Sequence, residues 1–207
     1  MTAPDPAAAR LETLLDQIRA CRICAAHLPL GPRPVLRAAP SARIAIVGQA
    51  PGTRVHETGI PWNDASGKRL RDWLDLDDEV FYDDRRIAIT PMGFCYPGRL
   101  PQGGDRPPRP ECASTWHAEL RRHLPRLELT LLVGSYAQKF YLGRDARRTM
   151  GETVRHWHDC GPAFFPMPHP SWRVTNWLKQ NPWFEREAVP VLRQRVRDIL
   201  ALSLIHI

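Results

Sequence analysis

The sequence predicts an α/β fold, a three-layer αβα sandwich around a central four-stranded, mainly parallel sheet. Three observations carry that prediction. Four short apolar runs, at 42–47, 86–90, 129–133 and 163–167, are bounded by turn residues as buried strands are. Segments of helical period lie between them. Strands that alternate with helices return in the same direction through crossovers, which makes the pairing parallel. With 207 residues, 43% of them hydrophobic, the chain can bury one sizeable core, and residues 1–201 are read as a single domain.

The elements follow in order. Leu11, Leu14, Leu15, Ile18 and Cys21 recur at three-to-four spacing and predict a helix over 7–27. Residues 28–41 are rich in proline and form an extended connector to the first strand. A polar loop over 49–65 leads to a helix that Ser66 can cap, with Leu70, Trp73 and Leu74 inward. The second strand is stopped by Pro91. Residues 96–110 make a Pro/Gly/Arg loop too long for a simple connection, as functional loops often are. A helix is expected near 111–124, and Gly134 opens another that runs to Leu142. The last helix begins at Pro182 and reaches Leu200, with Pro190 as a kink point. Residues Leu202-Ser203-Leu204-Ile205-His206-Ile207 break its amphipathic pattern. They match the translation of a common sequencing-transposon end, so 202–207 is read as an artefact outside the fold.

Composition narrows the function classes. No stretch approaches the ~18 apolar residues of a membrane span, and no secretory signal opens the chain. A cytoplasmic monomer without membrane partners is expected. The net charge is +7, and eight arginines against three acids lie between Arg85 and Arg126. Such an excess attracts polyanions, nucleic acid among them. Five cysteines without a secretory signal argue against a disulfide framework. Four of them, Cys21 and Cys24 in a C-x2-C and then Cys95 and Cys112, can offer thiolates from separate segments to a [4Fe–4S] cluster or a structural zinc, and spacing alone does not choose between these. The alternative is four buried apolar side chains and no metal.

Two motifs about 120 residues apart carry the chemistry. Gly48-Gln49-Ala50-Pro51-Gly52 follows the first strand, and His169-Pro170-Ser171 follows the fourth. Ligands of open α/β sheets bind at such carboxyl ends. One motif offers main-chain N–H groups and an amide, the other an imidazole, which together suit a polar, planar ligand. A nucleotide-binding Rossmann reading is weaker, because Gly48–Gly52 lacks the G-x-G-x-x-G spacing.

Over roughly residues 15–200 the chain resembles the uracil-DNA glycosylase superfamily, and within it the branch that carries an iron–sulfur cluster. Gly48–Gly52 stands where that branch has a GEAPG-like turn. Gly59-Ile60-Pro61-Trp62 and Ser66-Gly67-Lys68-Arg69-Leu70 occupy the places of its next two motifs, and His169-Pro170-Ser171 is intact. The four cysteines follow the branch's order and approximate spacing, so the resemblance favours a [4Fe–4S] cluster. It implies a hydrolase of base-excision repair that cleaves the N-glycosidic bond of uracil, or a related deaminated base, in DNA; no lysine sits in Gly48–Gly52 or His169–Ser171 to form a Schiff base, so the expected enzyme is monofunctional.

The resemblance also implies roles. His169 would contact a uracil oxygen and stabilise the leaving base. The main chain of Gly48, Gln49 and Ala50 would bind the base, with Trp62 stacked on it. Ser171, Trp172 and Arg173 would enter the duplex and clamp phosphate. There are two departures from the pattern. Ala50 stands where many members have a water-activating Asp, as it does in the iron–sulfur branch; Asp64 is then a candidate to assist, with a local cap or ion pair as its alternative role. Pro91 replaces the branch's base-reading Asn, and proline cannot donate a hydrogen bond. Recognition then falls to Asn63, Thr90 or main chain near Gly93. The rival reading is a binder of abasic or damaged DNA that keeps the fold without turnover.

Overall fold

The computed structural model describes residues 6–202. Residues 203–207, most of the segment read as an artefact, lie outside the described residues. Four strands, β1 (Ile44–Val47), β2 (Ile87–Ile89), β3 (Leu129–Val133) and β4 (Phe164–Met167), form one sheet in the order β2-β1-β3-β4. Every pairing is parallel, with Ile44 opposite both Ile87 and Leu129, and Thr130 opposite Phe164.

The sheet is buried on both faces, which is why its strands read as continuous apolar runs. Strand side chains alternate between faces. Ile44, Ile46, Ile87, Ile89, Leu129 and Leu131 pack on one side against Leu70, Trp73 and Leu74 of helix α3 (Ala65–Leu74) and Leu192 and Val196 of the C-terminal helix, Val189–Leu202. Ala45 and Ala88 face the other way, where their small size admits Leu11, Leu14, Leu15 and Ile18 of helix α1 (Pro6–Arg19). The expected three layers are present.

Differences from the sequence reading are local. Helix α1 stops at Arg19, because its apolar stripe ends at Ile18 and Ile23 points to solvent. Helix α2 (Thr53–Thr58) forms within the stretch read as loop; it is a turn and a half, too short to show a period. Asp64, not Ser66, caps α3, with Oδ1 accepting the Gly67 N–H at 2.8 Å. The helix from Pro110 to Arg122 contains a π turn over Ala113–His117. Short helices at Asp78–Tyr82, Met150–Arg155 and Val174–Gln180 were not anticipated. Among the described residues no helix is long and apolar enough to cross a membrane.

Candidate active site

Both motifs wall one cavity of about 570 Å³ at the carboxyl ends of the strands, a size within the usual range of ligand pockets. Parallel pairing makes this happen: β1 and β4 run in the same direction, so the turns that follow them emerge at the same edge. Pairing continues past the strand ends, where Met92 N–H donates to Gly48 O and Gly93 N–H to Gln49 O, both at 2.9 Å. These bonds hold the first motif's carbonyls inward. Among the described residues the N–H groups of Gln49 and Ala50 take no acceptor from the chain.

Trp62 is seated by two glycines. Its indole lies over Gly48, where an added Cβ would stand 2.7 Å from Cζ2. Its carbonyl lies over Gly67, where an added Cβ would meet the oxygen at 1.7 Å. Trp62 itself has φ 57°, a left-handed conformation rare outside glycine. Arg71 Nη1 donates to its carbonyl at 3.3 Å and helps to hold it there. Such outliers persist where the surroundings over-determine them and gather at functional sites. The indole stands 5.5 Å from the His169 ring, tilted by 34°. Gly134 lies under His169, with only 3.4 Å from its added Cβ to that of the histidine.

Burial pushes the His169 imidazole below its ordinary pKa, while Asp64 pulls it back up. The ring is therefore neutral at pH 7, a donor that carries no charge until charge appears opposite it. Asp64 lines the same cavity while capping α3. Ser171, Trp172 and Arg173 form one rim. Trp172 is 78% exposed, with the Arg173 guanidinium 5.4 Å from its ring. Arg69 Nη1 donates to the Ser171 carbonyl at 2.9 Å and ties that rim to α3.

Two expected base contacts are placed elsewhere. Thr90 is buried on the opposite side of its segment, beside His117 and Tyr141, because Ile89 and Pro91 take the cavity side and extended residues alternate. Asn63 is half-buried but is not part of the cavity wall. The Gln49 side chain turns away as well and donates to Arg106 O at 3.0 Å, which leaves that residue's main chain for a ligand.

The arginine excess between Arg85 and Arg126 does not gather as a positive face at the cavity. Of the eight arginines between 85 and 126, only Arg99 lines the cavity. Arg85 and Arg86 pair with Asp83, and Arg122 pairs with Glu119. These residues precede β2 and β3, so they sit at the amino ends of strands whose carboxyl ends hold the site. Sequence reading missed Asp105, which lines the cavity from the long loop. Its signal was present, since it is the only acid between 96 and 110.

Cys21, Cys24, Cys95 and Cys112 line a second, small cavity beneath Phe94. Burial lifts the thiols of Cys24, Cys95 and Cys112, Cys95 to about 12 and Cys112 to about 11, and a neighbouring thiolate would raise each further. Main-chain N–H groups of Arg33 and Phe94 point at the Cys95 and Cys112 sulfurs, and the Arg109 guanidinium points at the Cys24 sulfur. A desolvated set of thiols with N–H donors suits a positively charged centre that deprotonates them. Among the described residues no three His, Cys, Asp or Glu side chains stand as the ligands of a single ion.

A family profile of the uracil DNA glycosylase superfamily matches residues 37–193. That span runs from before β1 to within the last helix and includes both cavity motifs, so the chain belongs to this superfamily. Among solved structures, it is similar to the solution NMR structure of a candidate uracil DNA glycosylase from Methanosarcina acetivorans. The two are 18% identical, the match covers 78% of this chain and 97% of the other, and the TM-score is 0.42.

Proposed function

We propose that this chain hydrolyses the N-glycosidic bond of uracil, or a related deaminated base, in DNA. The observation that carries the reading is the convergence of the two strand-end motifs on one cavity, with the Trp62 and His169 rings side by side. A base turned out of the stack lies against the indole. The free N–H groups of Gln49 and Ala50 meet one edge of it, and His169 the other. As the bond from C1′ to the base stretches, negative charge gathers on the base. A preorganised neutral imidazole donor stabilises that charge at little reorganisation cost. The base leaves with the electron pair and water adds at C1′.

Among the described residues the cavity wall carries no lysine to form a Schiff base, which supports a monofunctional hydrolase. Pro91 lies in that wall and offers no side-chain donor. Recognition there rests on shape and main chain, which is why the reading extends to bases related to uracil. Trp172 and Arg173 are placed to enter the duplex and meet phosphate.

The reading includes a [4Fe–4S] cluster on Cys21, Cys24, Cys95 and Cys112, which would set the chain in the iron–sulfur branch. What supports it is the shared cavity and the donors aimed at its sulfurs. Purified protein is then expected to be brown, with broad absorbance near ~400 nm and about four irons per chain. Colourless protein with one zinc would move the claim to a structural zinc site.

A gel assay on a uracil-containing duplex, followed by alkali, tests the activity. Scission at uracil is expected, and His169→Ala should lose about 10²–10³-fold in rate while abasic-DNA binding changes little. Wild-type protein that holds abasic DNA and leaves the bond intact would make the chain a binder of damaged DNA, the role that Ala50 and Pro91 favour.

A further inference from the structure

We infer that Asp105 is the carboxylate that takes the proton of the attacking water, the task that Ala50 cannot perform. The inference rests on the glycosylase reading above. Asp105 lines the cavity together with the whole first motif. Its Oδ2 would stand 3.6 Å from a Cβ on Gly52, so nothing separates acid and turn. An antiparallel bridge between Arg99 and Asp105 fixes the base of its loop. Gly103 and Gly104, both at positive φ, let the loop fold over, and the Arg173 guanidinium packs against Gly104 from the opposite rim. Asp105 is thus set between the two rims rather than left at the tip of a loose loop.

The two cavity carboxylates have different employment. Asp64 commits an oxygen to the Gly67 N–H, and its charge reaches His169. Asp105 feels its neighbours only through charge: Arg99 and Arg173 draw its pKa down and Asp64 raises it. Loss of surrounding water is the largest influence, and the net shift is upward. Such a carboxylate is a stronger base than an ordinary one. In the step, a water oxygen bonds to C1′ as the C1′–N bond breaks. The electron pair leaves with the base, facing His169, and the water proton passes to Asp105. Asp105 then returns that proton to solvent, so one water is consumed for one base released.

The test is single-turnover excision by wild type, Asp105→Asn and His169→Ala across pH, with abasic-duplex affinity measured in parallel. Asp105→Asn should lower the rate about 10²-fold while abasic affinity stays within about threefold. The wild-type acid limb should lie above the ordinary carboxylate range and be absent in Asp105→Asn. A variant within threefold of wild type, or one that changes only salt-dependent binding, would overturn the assignment and leave the glycosylase reading standing. An inactive wild type would overturn that reading, and this inference with it. Unchanged thermal unfolding of Asp105→Asn separates lost chemistry from lost fold.

Discussion

Gly48→Ala puts a methyl group where the Trp62 indole lies. The new Cβ would stand 2.7 Å from Cζ2, against the 3.4 Å at which ordinary contact begins, so the ring must give by roughly 0.7 Å. The main chain cannot absorb the shift. Trp62 is held at φ 57° by the Arg71 bond and by the close seat of its carbonyl on Gly67. The ring therefore swings at its far end, toward His169 and into the cavity. Because the contact is with the end of a side chain, the stability cost should be about 1 kcal/mol, the low end for overpacking. For a chain of this length that is a fall in Tm of about 2–4 °C. The rate effect should be larger, since a misplacement approaching 1 Å at a positioned site costs up to about 10²-fold. Single-turnover excision from a uracil duplex and a thermal melt read the two effects separately. Gly48→Ala/Trp62→Phe should recover part of the rate, because the smaller ring clears the methyl, with a coupling of about 0.5–3 kcal/mol between the sites. Wild-type rate in Gly48→Ala would refute the claim that the base surface is the indole held against Gly48.

Asp64→Ala removes the α3 cap and should cost about 1 kcal/mol in denaturant unfolding, whereas Asp64→Asn, an equally good cap, should cost little; equal losses would mean that charge rather than the cap is what matters. His117 is buried between Tyr141 Oη at 2.9 Å and the Pro91 carbonyl at 3.1 Å, and burial drops its pKa to about 4. The depressed value means that the fold favours the neutral ring, so this contribution is complete above the unfolded pKa of about 6.5 and is lost as pH falls toward 4. An NMR titration of the His117 ring should show a midpoint near 4; a midpoint at the free value would mean that the pocket behind Pro91 is open to water.

The chain alone determined the layer order of this protein. Continuous apolar runs separated by helical periods require a parallel sheet covered on both faces, and β3 falls where its residues place it. The same reading located the two motifs at strand ends, because a glycine turn or an imidazole after such a run has nowhere else to go. It also drew together four cysteines that the fold brings to one cavity. What it could not supply was direction and company. Thr90 and Pro91 are neighbours in sequence, yet they face opposite sides, because the parity of an extended segment is set by its register in the sheet. Gly67 is one letter in a helix until the Trp62 carbonyl is found against it. The arginines that seemed one basic tract are divided between the two ends of the strands, since charge in sequence carries no sign of which end a loop will occupy. Asp105 joins the site only because a loop between distant elements folds back over Gly52. Periodicity and turn chemistry act between near neighbours and can be read from the chain, whereas the cavity is made by contacts between residues tens of positions apart, and these exist only once the sheet has brought its carboxyl ends together.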